Sequence, residues 1–308
     1  MKLFDLQTLG AMRILRDGEF RSLGLLSHRG DRLLVAFYDS RFTHRLVQNC
    51  DVSCVLTSSV LADRVPSTLA VAIVEDPQAV FYRAHRYLLQ NTTFYGEDFP
   101  TEVSADAAVH PEAWIAPRNV RIGPGCMVEA HAIVLERTIM GAGVVIRAGA
   151  VVGGEGFEPK NIDGRKEIIP HAGGVRLHDR VEVQSNSHIA KSVFGSCTEI
   201  GEGTKIDALV HIAHNAQIGR DCEIAAGAVV AGSTRIGDRV WIGPGAVVSS
   251  EVRIGNDAAI SLGAVVIRDV PDGQRVSGNF AIDHGVFLRL AHAWQTGKTL
   301  PAARSDSA

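Results

Sequence analysis

The segment His211-Ile212-Ala213-His214-Asn215 sets two imidazoles on either side of one aliphatic residue. Imidazole titrates near neutral pH, so it can take a proton from an attacking nucleophile and pass it to a leaving group. If Ile212 points inward on a strand, alternation turns His211 and Ala213 outward and leaves His214 near the following turn. A polar outward position is commonly just a solvated face, but two histidines about one buried Ile favour a working site. With His188 they also make a three-histidine set of the kind zinc accepts, which gives a second chemistry to test.

These residues lie inside a period of six. Aliphatic side chains stand at Ile200, Ile206, Ile212, Ile218, Ile224, Val230, Ile236, Ile242, Val248, Ile254, Ile260 and Val266 without a miss. A second run covers Ile122, Val128, Val134, Met140, Ile146 and Val152, and a short one covers Leu177, Val183 and Ile189. Six residues advance an α-helix by about 600°, which would scatter these side chains around it, whereas six is a multiple of the strand period of two. A single strand that long is untenable, so the chain must turn within each hexad, where Gly and small polar residues supply the turns. The pattern predicts a mainly β fold, a parallel β-helix with each aliphatic residue pointing inward.

The period breaks over 154–174, which opens with Gly154-Glu155-Gly156-Phe157-Glu158-Pro159 and carries a turn signal at Asp163-Gly164. It predicts a hairpin or loop projecting from the coil wall. A smaller irregularity falls between Ile189 and Ile200. Residues 1–100 lack hexads. Strands are expected at Arg32–Tyr38, Val52–Leu56 and Leu69–Val74, a capped short helix at Ser40–Gln48, and a helix from about Pro77 to Leu89, together a small α/β domain. The coils are expected over 101–280, ending at Asp269-Val270-Pro271-Asp272-Gly273. A short helix at Val286–Trp294 and a frayed tail at Pro301–Ala308 fill 281–308.

The chain has 308 residues, 46% of them hydrophobic and 21% charged, enough for a full core. A net charge of −3 gives no electrostatic reason to expect nucleic acid or an anionic membrane surface. No apolar run approaches the roughly 18 residues that cross a bilayer, and the start lacks a signal-peptide layout, so a cytoplasmic location is expected. The five cysteines, Cys50, Cys54, Cys126, Cys197 and Cys222, show no metal spacing and read as reduced thiols.

Asp207 through Gly219, followed by Val229-Val230-Ala231-Gly232-Ser233, resembles the catalytic coil of the UDP-3-O-(3-hydroxyacyl)glucosamine N-acyltransferases of lipid A synthesis, within the hexapeptide-repeat transferases. Val151-Val152-Gly153-Gly154-Glu155-Gly156-Phe157 resembles that family's loop, and the head, coil and C-terminal helix come in its order. The resemblance implies a left-handed coil, a cytoplasmic homotrimer, no bound cofactor, and transfer of a (3-hydroxy)acyl group from acyl carrier protein to a UDP-linked amino sugar. It assigns the general base to His214, with Asn215 orienting the imidazole. One coil later, the backbone N–H of Gly232 would stabilise the oxyanion. It places Asp207, His211, Phe157 and Glu251 at the substrate, with Asp39 and Phe42 in a nucleotide pocket of the head. The sequence departs from the family at Glu251 (a second His), His211 (a Gln) and the base pocket, here Ala36, Asp39 and Phe42. Its C-terminal helix is also short.

Other readings stay open. Arg268-Asp269-Val270-Pro271-Asp272-Gly273 with Gly278-Asn279 resembles the end of CoA-dependent sugar acetyltransferases, which would make acyl-CoA the donor. The zinc reading would be a β-helical carbonic anhydrase, and an inactive scaffold or binding module is the non-enzymatic one.

Overall fold

The computed structural model describes residues 1–278 and 281–296, the side chain of Trp294 excepted. Asn279 and the expected tail Pro301–Ala308 lie outside the described residues. The hexads build three parallel sheets of nine, eight and eight short strands, which form the walls of one coil. His211 pairs with Val229, Val229 with Val247 and Val247 with Val265, so successive coils repeat every eighteen residues. The first coil strand is Glu102–Val103 and the last Arg275–Val276. All twelve aliphatic residues from Ile200 to Val266 are buried in one continuous core, together with the runs before the interruptions. The expected parallel β-helix is therefore the architecture, and inward stacking of equivalent side chains holds it.

The head is a five-stranded sheet built from β1 (Arg13–Arg16), β2 (Ser22–Leu23), β3 (Leu33–Phe37), β4 (Val52–Thr57) and β5 (Ala70–Ile73). Its order is β1-β5-β4-β3-β2, with only β1 antiparallel. Sequence reading missed β1, which is mostly exposed, and β2, which is only two residues long. Helix α1 (Thr43–Gln48) follows a 3₁₀ turn at Ser40–Phe42. Helix α2 (Pro77–Asn91) starts at Asp76, whose carboxylate accepts from the Ala79 N–H, with Pro77 at the first position where no N–H is needed.

Both interruptions prove structural. Val151 pairs with His188, thirty-seven residues on, and the surplus folds as an antiparallel hairpin of Pro159–Ile162 and Arg165–Ile168 about Asp163-Gly164. The hairpin projects from the wall as expected and packs on the head. Ile162 and Ile169 are buried in the head core, and Arg83 and Arg86 of α2 pair with Asp163 and Glu167. His188 pairs with His211, twenty-three residues on, so five extra residues bulge from that coil. The bulge sends Val193 and Phe194 into the head core. Helix α3 (His284–Thr296) leaves Val286, Phe287 and Leu288 exposed. No described helix is long and apolar enough to cross a membrane, and all five cysteines are free thiols.

Candidate active site

Asn215, Ser233 and Glu251 occupy one corner of three successive coils, each left-handed at φ 62°, 60° and 63°. The residues just before them, His214, Gly232 and Ser250, line an open groove with His211, Ala213, Phe157 and Glu158. The corner itself faces the head. Ser233 Oγ meets His28 Nε2 at 3.1 Å, and the Glu251 carboxylate accepts from Ser27 Oγ and Arg45 Nη1, both at 2.7 Å. Burial would raise the Glu251 carboxyl, but these two hydrogen bonds outweigh it and hold it low. Burial holds His28 down at about 4, so it is neutral at physiological pH.

His214 is fixed from both sides. Asn215 Oδ1 accepts from the Val193 N–H at 3.1 Å, while its Nδ2 donates to Ser192 Oγ at 2.5 Å and Ser196 Oγ at 3.3 Å. That network leaves oxygen toward the imidazole, so the 3.1 Å contact to His214 Nδ1 requires a proton on Nδ1. The bulge from the smaller irregularity thus sets the tautomer of His214. Its Nε2 lies 3.3 Å from Glu158 Oε2. Burial pushes the Glu158 carboxyl up, but the His214 ring and the Lys160 ammonium beside it prevail and bring it to about 2.

Gly232 lies directly against the imidazole, since a Cβ there would stand 2.6 Å from His214 Cε1. Its N–H donates to no acceptor among the described residues, unlike the N–H groups of Ala231 and Ser233 beside it. A carbonyl oxygen seated at this N–H would lie beside the His214 ring. Gly156 approaches from the loop side, where a Cβ would fall 2.5 Å from His171 Nε2 and 3.0 Å from His214 Cδ2. His171 is buried, packs edge-on to His214 with ring centroids 5.4 Å apart, and leaves its Nε2 without a partner.

A second cavity, of about 240 Å³, lies in the head between Ala36, Tyr38, Phe42, Phe81, Tyr82, Arg45 and Lys160. It shares Leu25 and Glu251 with the groove. Two expected residues stand elsewhere. The Asp39 carboxylate caps the 3₁₀ turn, accepting from the Arg41 N–H at 2.9 Å and pairing with its guanidinium, and it does not line the cavity. Asp207 accepts from the N–H groups of Ala208 and Ala226 on an exposed turn and does not line the groove. Both carboxylates are used by the backbone they organise. His188 and His211 stack at 5.2 Å with their Nδ1 atoms 3.3 Å apart, while His214 is turned to other partners. Among the described residues no three His, Cys, Asp or Glu converge as a metal site.

Sequence reading did not single out Glu158, Lys160, His171, His28 or the serines of the bulge. The break in the period was the available signal for all but His28.

The pairing of Glu158 bears on acid stability. Its carboxyl is held at about 2 against an ordinary 4.5, so its contribution is present above about pH 5 and lost as pH falls through the folded value. The melting-temperature gap between wild type and Glu158→Gln should therefore be largest above about pH 5 and shrink toward pH 2 in scanning calorimetry. A gap that widens on acidification would rule out the ion pair.

The bacterial transferase hexapeptide (six repeats) model matches residues 119–154, 197–232 and 233–268. The UDP-3-O-acylglucosamine N-acyltransferase of Anaeromyxobacter dehalogenans is 35% identical over 124 residues, 38% of this chain and 34% of that protein. The Rhizobium johnstonii protein of the same name is 31% identical over 218 residues, 60% of each chain. That of Helicobacter pylori is 27% identical over 210 residues, also 60% of each. The chain thus spans from about a third to three-fifths of the length of these curated relatives. Three stretches of its coiled body thus match the bacterial transferase hexapeptide repeat, and UDP-3-O-acylglucosamine N-acyltransferases are among the proteins it is similar to.

Proposed function

We propose that the protein is an N-acyltransferase that moves a (3-hydroxy)acyl group from an acyl carrier protein thioester to the amine of a UDP-linked amino sugar of the lipid A type. The observation that carries this reading is the His214 imidazole lying against Gly232, whose N–H is unpaired, at the wall of an open groove. The acceptor ammonium first loses one proton to water. Its nitrogen then attacks the thioester carbon while the carbonyl oxygen gathers charge at the Gly232 N–H. His214 Nε2 takes a second proton from that nitrogen and returns it to the thiolate as the C–S bond breaks. An amide and a free thiol result.

The head cavity suits the nucleotide, with Phe42 and Tyr38 offering aromatic faces and Arg45 and Lys160 offering charge to the diphosphate. The work fits a homotrimer in the cytoplasm that requires no metal. A CoA thioester is the second reading for the donor, favoured by a cavity of about 310 Å³ that Val265, Ile267, Arg268 and Gly278 help to line at the end of the coil.

The test offers UDP-, GDP- and dTDP-linked amino sugars with acyl carrier protein and CoA thioesters and reads products by mass. An N-acylated UDP sugar made from the carrier-protein thioester is expected. Products formed only from CoA thioesters would give the second reading, and no transfer from any donor would end the first.

A further inference from the structure

Glu158 Oε2 lies 3.3 Å from His214 Nε2, and its other oxygen lies 2.6 Å from Lys160 Nζ. The carboxylate is only 14% exposed, and its backbone oxygen accepts from the Ile169 N–H at 3.0 Å across the base of the hairpin. Lys160 lines the head cavity and lies 5.8 Å from the Tyr82 ring centroid. The carboxylate is therefore anchored between the two cavities and can give up its histidine without losing its lysine.

Any acceptor atom that hands a proton to His214 must come within about 3 Å of Nε2. In the free protein Glu158 already holds that approach. An acceptor must enter beside it or in exchange for the imidazole, and in either case its reacting atom becomes a neighbour of a fixed, poorly solvated anion. An ammonium gains a charge-assisted hydrogen bond there, and a hydroxyl gains only a neutral donor's share. A phosphate or carboxylate is repelled. The attacking nitrogen is positive again in the tetrahedral adduct, so the anion faces positive charge before and after attack.

We propose that Glu158 is the residue that selects a cationic amine as acceptor, reading the charge of the group presented to His214. The proposal deepens the reading of His214 as the base and rests on it. It also assigns the choice of nitrogen over oxygen to the coil insertion rather than to the head.

The test is calorimetric titration, without thioester, of UDP-glucosamine and UDP-glucose, which differ at one carbon by amine against hydroxyl. It is run below the pKa of the amine. Wild type is expected to bind the amine about ten-fold more tightly. Glu158→Gln, of the same shape, should bind the two ligands alike, and Glu158→Asp should keep part of the preference. No preference in wild type, or an undiminished one in Glu158→Gln, overturns the proposal. Because no acyl group is present, failure of acyl transfer with the preference intact would sink the enzymatic reading alone.

Discussion

Replacing His214 with Ala is expected to lower kcat for acyl transfer by about 10²- to 10⁴-fold, the span that a positioned general base contributes. In the proposed reaction the ring meets the acceptor through Nε2, while Asn215 fixes a proton on Nδ1. The neighbouring imidazoles have other surroundings. His211 is engaged with His188, and His171 is buried behind Gly156. KM for the nucleotide sugar should change little, because the head cavity is not lined by His214. Steady-state kinetics with a mass readout of product decides it, and an unchanged kcat would remove His214 from the chemistry.

Gly232→Ala should cost about 10²- to 10³-fold in kcat, on the scale of a lost oxyanion donor. The new Cβ would stand 2.6 Å from Cε1 of an imidazole already tied at Nδ1 and Nε2, so the ring cannot yield without breaking its contact to Asn215 or Glu158. The methyl also fills the approach to the N–H that a carbonyl oxygen would use. Solvent-isotope and pH–rate measurements on this variant should differ from those on His214→Ala, because the base is displaced rather than absent. Wild-type turnover in Gly232→Ala would mean that the close packing is only structural.

The coil was legible because every inward residue repeats the same instruction. Ile206, Ile212 and Ile218 are buried by the rule that buries Ile254 and Ile260, and the core needs no contact between distant segments to be anticipated. The groove was legible in part. His214, Gly232 and Asn215 sit one coil apart or side by side, so the eighteen-residue register alone brings them together. Residues arriving from elsewhere were not. Glu158 reaches His214 because Ile162 and Ile169 anchor the hairpin in the head, a tertiary arrangement that no local pattern encodes. The turn-capping bonds of Asp39 and Asp207 were also hidden, because a carboxylate with free geometry and one held by a turn look alike in sequence.

The five-residue bulge after His188 has a consequence for cooperativity. A repeat coil is close to a one-dimensional array, in which disturbance at one rung is felt mainly by the next. Here Val193 and Phe194 belong to the head core, while the Val193 N–H and the hydroxyls of Ser192 and Ser196 hold Asn215. A strain that loosens the head is thereby expected to reach the amide that fixes the proton of the imidazole, as well as the next rung. The same short stretch of chain therefore belongs both to the head core and to the hydrogen-bond network of the groove. At this rung the array is tied to the head as well as to its neighbouring coils.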